Sequence, residues 1–154
     1  MPTLRTYLVI VDNTPESRVA MRYAALRASH VQAHVTLLFA IPATEFMQWG
    51  GVQEIIQAEA EAAAEALLAS IADELFALSG ERPSIIVRQG VTTDLIMATV
   101  AADPSIHALV LGAAPKGTPG PLVDFFAGER AGQLPCLVMI VPGGVGDDRL
   151  AELT

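Results

Sequence analysis

The sequence predicts an α/β fold, a single domain built as a doubly wound five-stranded parallel sheet with helices on both faces. Three observations predict it. Five short apolar runs alternate with longer segments of helical character. The runs lack strict polar alternation, as strands covered on both faces do. The joins between runs and helices are short, which favours right-handed β-α-β crossovers over any other arrangement.

The first run, YLVIV (7–11), ends at Asp12 and is the first strand. Thr14-Pro15 opens the first helix, over about 15–29: a hydroxyl capping residue stands before a proline, whose fixed φ suits the first helical position. Val19, Tyr23 and Leu26 recur at three- and four-residue spacing and are expected to pack on the sheet. HVTLLFAI (34–41) is the second strand, followed by a long helix over 51–78 that Gly80 and Pro83 end. From Ala43 to Gly80 this segment carries seven acids and no lysine or arginine. Its apolar set, which includes Ile55, Ile56, Leu67, Leu68, Ile71, Leu75 and Leu78, is expected to form one buried stripe. The acids then form a solvated face, or a docking surface for a basic partner. SIIVRQ (84–89) is the third strand, ended by Gly90; Thr92 is the expected cap of a helix over 93–102, with Asp94 in its first turn. Asp103-Pro104 stops that helix. HALVLG (107–112), a helix over 123–133 and CLVMIV (136–141) complete the pattern.

Composition excludes several classes. With 154 residues, 52% of them hydrophobic and 17% charged, the chain buries a real core and is not disordered. Acids outnumber bases 17 to 9, so a phosphate-backbone binder is not expected and nucleic acid is excluded as the main partner. No apolar run reaches the roughly 18 residues of a membrane helix, and no membrane partner is expected. The single cysteine, Cys136, permits no internal disulfide and suits a reducing cytoplasm. It is read as an inert thiol at the start of a buried strand.

Open parallel sheets bind ligands beyond the carboxyl ends of their strands, where the strand order reverses. The joins that meet there are Asp12-Asn13-Thr14, Ile41-Pro42 and the glycine-rich GAAPKGTPGPLVDFFAGE (112–129). Glycines there can turn backbone N–H groups toward an anion, and the loop holds the chain's only lysine, Lys116. Phe46, Met47 and Trp49 form an aromatic patch before the long helix, either a flap over the cleft or packing of the helix start. His30, His34 and His107 fall near strand beginnings, away from this end, and are read as surface residues with no metal site. No Ser-His or Cys-His pair is expected to meet.

Three of these segments carry a resemblance. YLVIVDNTPESRVAMRYA (7–24), HALVLGAAPKG (107–117) and LPCLVMIVP (134–142) stand in the order and spacing of the universal stress protein family, and the chain resembles its UspA type along nearly its whole length. The resemblance implies a UspA-like, adenine-nucleotide alpha-hydrolase-like sandwich of strand order 3-2-1-4-5 over residues 1–143, with 144–154 as a C-terminal tail. It also implies a homodimer through the last strand, 137–141.

One branch of that family holds ATP through a loop of the form G-x-x-G-x9-G-[S/T]. Here Gly112 fits the first glycine and Pro115 occupies the second; spacing back from Pro135, Asp124-Phe125 stand where glycine and a hydroxyl should close the motif. Proline has no N–H to donate. The candidate nucleotide site is therefore degenerate: Asp12, Asn13, Thr14, Ile41, Gly112, Lys116, Gly117 and Gly120, with no cofactor expected and ATP or AMP disfavoured. Asp12 matches the family's nucleotide-site aspartate, or caps its own turn. The leading expectation is a non-enzymatic, homodimeric, cytoplasmic stress-response protein that acts on an unidentified protein partner. The alternatives are an ATP/AMP-binding sensor and a small hydrolase using Asp12.

Overall fold

The computed structural model describes residues 4–42 and 51–154. The aromatic patch of Phe46, Met47 and Trp49 lies outside them. The five apolar runs become β1 (Thr6–Ile10), β2 (His34–Ile41), β3 (Ser84–Gln89), β4 (Ile106–Ala113) and β5 (Leu137–Pro142). They form one parallel sheet of order β3-β2-β1-β4-β5. Between and after them run α1 (Pro15–Val31), α2 (Gly51–Ser79), α3 (Thr92–Ala102), α4 (Pro121–Ala127) and α5 (Asp147–Leu153). The order reverses between β1 and β4, so the crevice of the fold opens beyond Ile10 and Ala113.

Each face of the sheet carries its own core. On one, Val9, Leu37 and Val110 pack with α1, α2 and α5; on the other, Leu8, Leu38 and Leu109 pack with Ile96 of α3 and Phe126 of α4. The central strand β1 is buried along its whole length, which is why its sequence shows no alternation.

α1 starts where its cap predicts: the Thr14 hydroxyl accepts from the Ser17 N–H, with Pro15 in the first turn. The face it lays on the sheet is not Val19, Tyr23 and Leu26. Those flank the contact half-buried, and the seat is made by Ala20, Ala24 and Ala28. Alanine lets the helix axis come close to the strands, and the larger side chains close the margins.

Other expectations are corrected in the same way. In α2 the seam is Ala64, Leu68, Ile71, Ala72 and Leu75, at helical spacing, while Ile55 and Leu78 are exposed. The described acids of α2 do face solvent. Glu74 pairs with Arg18 and Arg22, and Asp73 with Arg82. Thr92 does not cap α3. Gly90, at φ +147°, turns the chain so that Val91 is the capping residue, without a side-chain bond, and Thr92 is already helical. The helix expected over 123–133 begins earlier and ends at Ala127, where Gly128 leaves helical geometry; a 3-10 turn follows at 131–133.

Residues 144–154 carry a helix that the sequence pattern did not announce. Leu150 of α5 is buried in the α1-side core, and Arg22 bonds Asp147 at 2.8 Å. Arg27 and His30 of α1 both reach the Thr154 carbonyl oxygen, at 3.1 and 2.9 Å. Among the described residues, no helix is long and apolar enough to cross a membrane.

Candidate functional site

The crevice at the β1/β4 reversal holds two adjoining cavities. The larger, of about 520 Å³, lies beside β2 and the start of α3; Phe39, Pro42, Val91 and Leu122 form its apolar walls, and Asn13, Thr92 and Thr93 its neutral polar ones. The smaller, of about 90 Å³, lies between the turn after β1 and the loop after β4. Ile10, Asp12, Pro121 and Leu122 line both.

The turn after β1 is held from within. The Asp12 carboxylate accepts from the Thr14 N–H at 2.9 Å and also from the Thr14 hydroxyl. The Asp12 N–H donates to Ser17 Oγ at 3.1 Å, and that hydroxyl donates to the Ile10 carbonyl at 3.2 Å. Ser17 is buried, so this clamp is shielded from water. Asp12 therefore caps its own turn.

Gly112 has a packing reason to be glycine. A Cβ there would run into the backbone of Glu16, closer than real side chains approach. Gly143 repeats the pattern from β5's side: its Cβ would stand 2.6 Å from Glu16 Cβ and 2.8 Å from the Ala113 carbonyl. The first turn of α1 rests on these two glycines.

The loop after β4 is braced as well. The Ala114 N–H donates to the Pro119 carbonyl at 3.0 Å, the Asp124 N–H to the Gly120 carbonyl at 3.1 Å, and the Gly143 N–H to the Ala113 carbonyl at 2.7 Å. Pro115, Pro119 and Pro121 have no N–H to offer. Gly117 and Gly120 take positive φ and turn the loop. Asp124 is exposed in the first turn of α4, and Phe125 lies half-buried against Phe126 with the Arg130 guanidinium 5.4 Å from its ring centre.

The structure thus brings Asp12, Thr14, Gly112 and Gly120 to the small cavity, and Asp12 with Asn13 to the large one. Ile41 lines neither, its carbonyl accepting from the Gly90 N–H at 2.9 Å, although Ala40 and Pro42 beside it line the large cavity. Lys116 and Gly117 are exposed and stand outside both. Glu16, Phe39, Val91, Thr92 and Thr93 were not anticipated. Only Thr92 and Thr93 had a signal, since they open a helix after a strand end at the crevice side of the sheet. None of the chain's nine basic residues lines either cavity.

Two further clusters bear on chemistry. Contrary to expectation, a serine and a histidine do meet: His34 Nε2 lies 2.7 Å from Ser84 Oγ at the amino ends of β2 and β3. Parallel pairing places these distant residues side by side, which no local pattern announces. Glu81 is 4.0 Å from His34 Nδ1, too far for a hydrogen bond, and Ser84 is exposed on an edge strand. His107 and Cys136 line one open hollow below β4 and β5. Cys136 precedes β5 rather than starting it and is half-buried; desolvation pushes its thiol up, against a weaker opposing bond from the Leu109 backbone. A raised thiol is a poor nucleophile. Among the described residues, no group of three or more His, Cys, Asp or Glu is placed to hold a metal ion.

A family profile described as the universal stress protein family matches residues 3–142. No curated protein matches the chain. Among solved structures, the universal stress protein UspA from Lactobacillus plantarum is 21% identical with a TM-score of 0.70, the match covering 92% of this chain and 99% of that one. A universal stress protein family member from Burkholderia pseudomallei is 14% identical with a TM-score of 0.63, over 92% of this chain and 98% of that one. A universal stress protein in complex with cAMP is 15% identical with a TM-score of 0.62, over 93% of this chain and all of that one (100%). At these identities the likeness is one of fold.

Proposed function

The chain belongs to the universal stress protein family, and from that premise we propose that it acts by contact with other proteins, as a non-enzymatic cytoplasmic homodimer whose cleft holds no triphosphate. One observation carries the reading. At the end of the crevice where an anion would be cradled, the backbone donors of Thr14, Ser17, Ala114 and Asp124 are already bonded within the chain. No basic side chain lines the site to replace them. Anion sites need such donors free and aimed outward.

The contact surface in this reading is β5. It is an edge of the sheet, with Leu137 65% and Ile140 41% exposed and no lysine along it. An apolar edge with unpaired N–H and C=O groups is stabilised by pairing, and a second copy about a two-fold axis satisfies both edges at once. Two measurements test the proposal. Calorimetry with Mg-ATP is expected to give no binding at millimolar nucleotide, and micromolar affinity would overturn it. Sedimentation is expected to show a dimer at micromolar protein that Ile140→Lys converts to monomer; a wild-type monomer throughout that range would remove the dimer.

A second reading is favoured by the large cavity and by likeness to the protein complexed with cAMP. In it the cleft takes a nucleotide-type ligand such as AMP or ATP, whose occupancy gates partner binding. Protein purified with nucleotide still bound, released on denaturation, would favour this reading over the first.

A further inference from the structure

We propose that the ligand of the large cleft is an uncharged planar molecule carrying hydrogen-bond donors, and that the site rejects the same molecule once it is phosphorylated. The inference shares with the second reading above only the premise that the cleft holds a small ligand, and departs from it by excluding the phosphate.

Size and lining select the body of the ligand. A cavity of about 520 Å³ is of ligand scale. Its walls offer the Phe39 side chain with Pro42, Val91 and Leu122 to a flat apolar surface. Among the described residues, the polar groups lining it are neutral, Asn13, Thr92 and Thr93, with one exception. That exception is Asp12, an acceptor, which favours donors on the ligand and opposes negative charge.

Charge selects against a phosphate. A substituent leaving the large cavity toward β4 enters the small one, because Asp12, Ile10, Pro121 and Leu122 border both. Among the described residues that line it are two acids, Asp12 and Glu16, and no cation. Glu16 also stands in the first turn of α1 and offsets the positive end of that helix. The space, about 90 Å³, is small beside the 520 Å³ of its neighbour. The Thr14 and Ser17 N–H groups, which elsewhere would solvate an anion, donate to Asp12 and Thr14.

The test is a charge ladder on one scaffold: adenosine, AMP and ATP titrated into the whole protein without magnesium, at low and high salt. Adenosine is expected to bind, AMP about tenfold more weakly at low salt, and ATP more weakly still, from like-charge repulsion at contact range. The penalty on AMP is expected to shrink at 1 M salt, where screening reaches within about 3 Å, while adenosine is unaffected. Glu16→Gln is expected to narrow the ratio of AMP to adenosine affinity several-fold. AMP or ATP binding as tightly as adenosine would overturn the charge inference and leave the ligand-cleft reading standing. No binding by any of the three would overturn both.

Discussion

Replacing Gly112 by alanine separates a packing glycine from a phosphate-cradling one. The new Cβ would overlap the Glu16 carbonyl and stand 3.0 Å from the Ser17 N. These are backbone atoms, so no rotamer change relieves the clash and the first turn of α1 has to move. Overpacking of this kind costs about 1–3 kcal/mol, occasionally more. The upper end is expected, because the shift also strains the Ser17 clamp on Asp12 and Ile10. For a chain of this size about 3 kcal/mol corresponds to a fall of roughly 6–12 °C in Tm. Two controls set the scale. Gly132→Ala meets nothing within 4 Å and takes no positive φ, so it is expected to be near neutral. Gly117→Ala also meets nothing within 4 Å but sits at φ +77°, and left-handed backbone costs an alanine roughly 1–2 kcal/mol. The assay is urea unfolding by circular dichroism, without nucleotide and at one protein concentration, since association shifts apparent stability. Gly112→Ala no less stable than Gly132→Ala would refute the seating of α1 on β4 and reopen Gly112 as an anion-site glycine.

Three further outcomes follow from the packing. Leu150→Ala removes the buried anchor of α5 and is expected to cost about 2–5 kcal/mol; a thermal melt unchanged within error would mean that α5 does not dock. Ser17→Ala leaves the Asp12 N–H and the Ile10 carbonyl without their partner, at about 1–3 kcal/mol, and equal stability in urea would contradict the clamp. Cys136, whose thiol is raised by burial, is expected to alkylate more slowly than a free thiol at pH 8. The sign for stability follows: the thiol contribution is fully present below the ordinary thiol pKa and is lost as pH rises through the raised folded value, because the unfolded chain ionises first. A Cys136→Ala variant with the same alkaline stability profile as wild type would contradict that linkage.

What the sequence determined by itself was whatever depends on neighbours a few residues away. Apolar runs identified the five strands, although the edge strands β3 and β5 are largely exposed rather than covered on both faces; Thr14-Pro15 started α1, Gly80 ended α2, and the order of runs and helices placed the crevice beyond Asp12 and Gly112. The likeness of three segments to one family supplied the strand order. Tertiary structure decided the rest, because it turns on which distant atoms share a volume. Periodicity in α1 pointed to Tyr23 and Leu26, yet only the sheet's close approach made Ala20, Ala24 and Ala28 the seat. Gly112 matches a phosphate motif in sequence, and only α1 lying against it shows a different reason for having no side chain. That Asp12 ties its own turn to Thr14 while lining both cavities is visible only in the folded chain. Ser84 and His34, 50 residues apart, meet because β3 pairs beside β2, with Ser84 opposite Thr36 two residues on from His34. Leu150, one of two leucines in a polar segment, became core because α1 offered it a surface, while Leu153 stays exposed. Propensity and capping are local energies that a linear pattern records, whereas close approach and cavity chemistry arise only after the chain has folded back on itself.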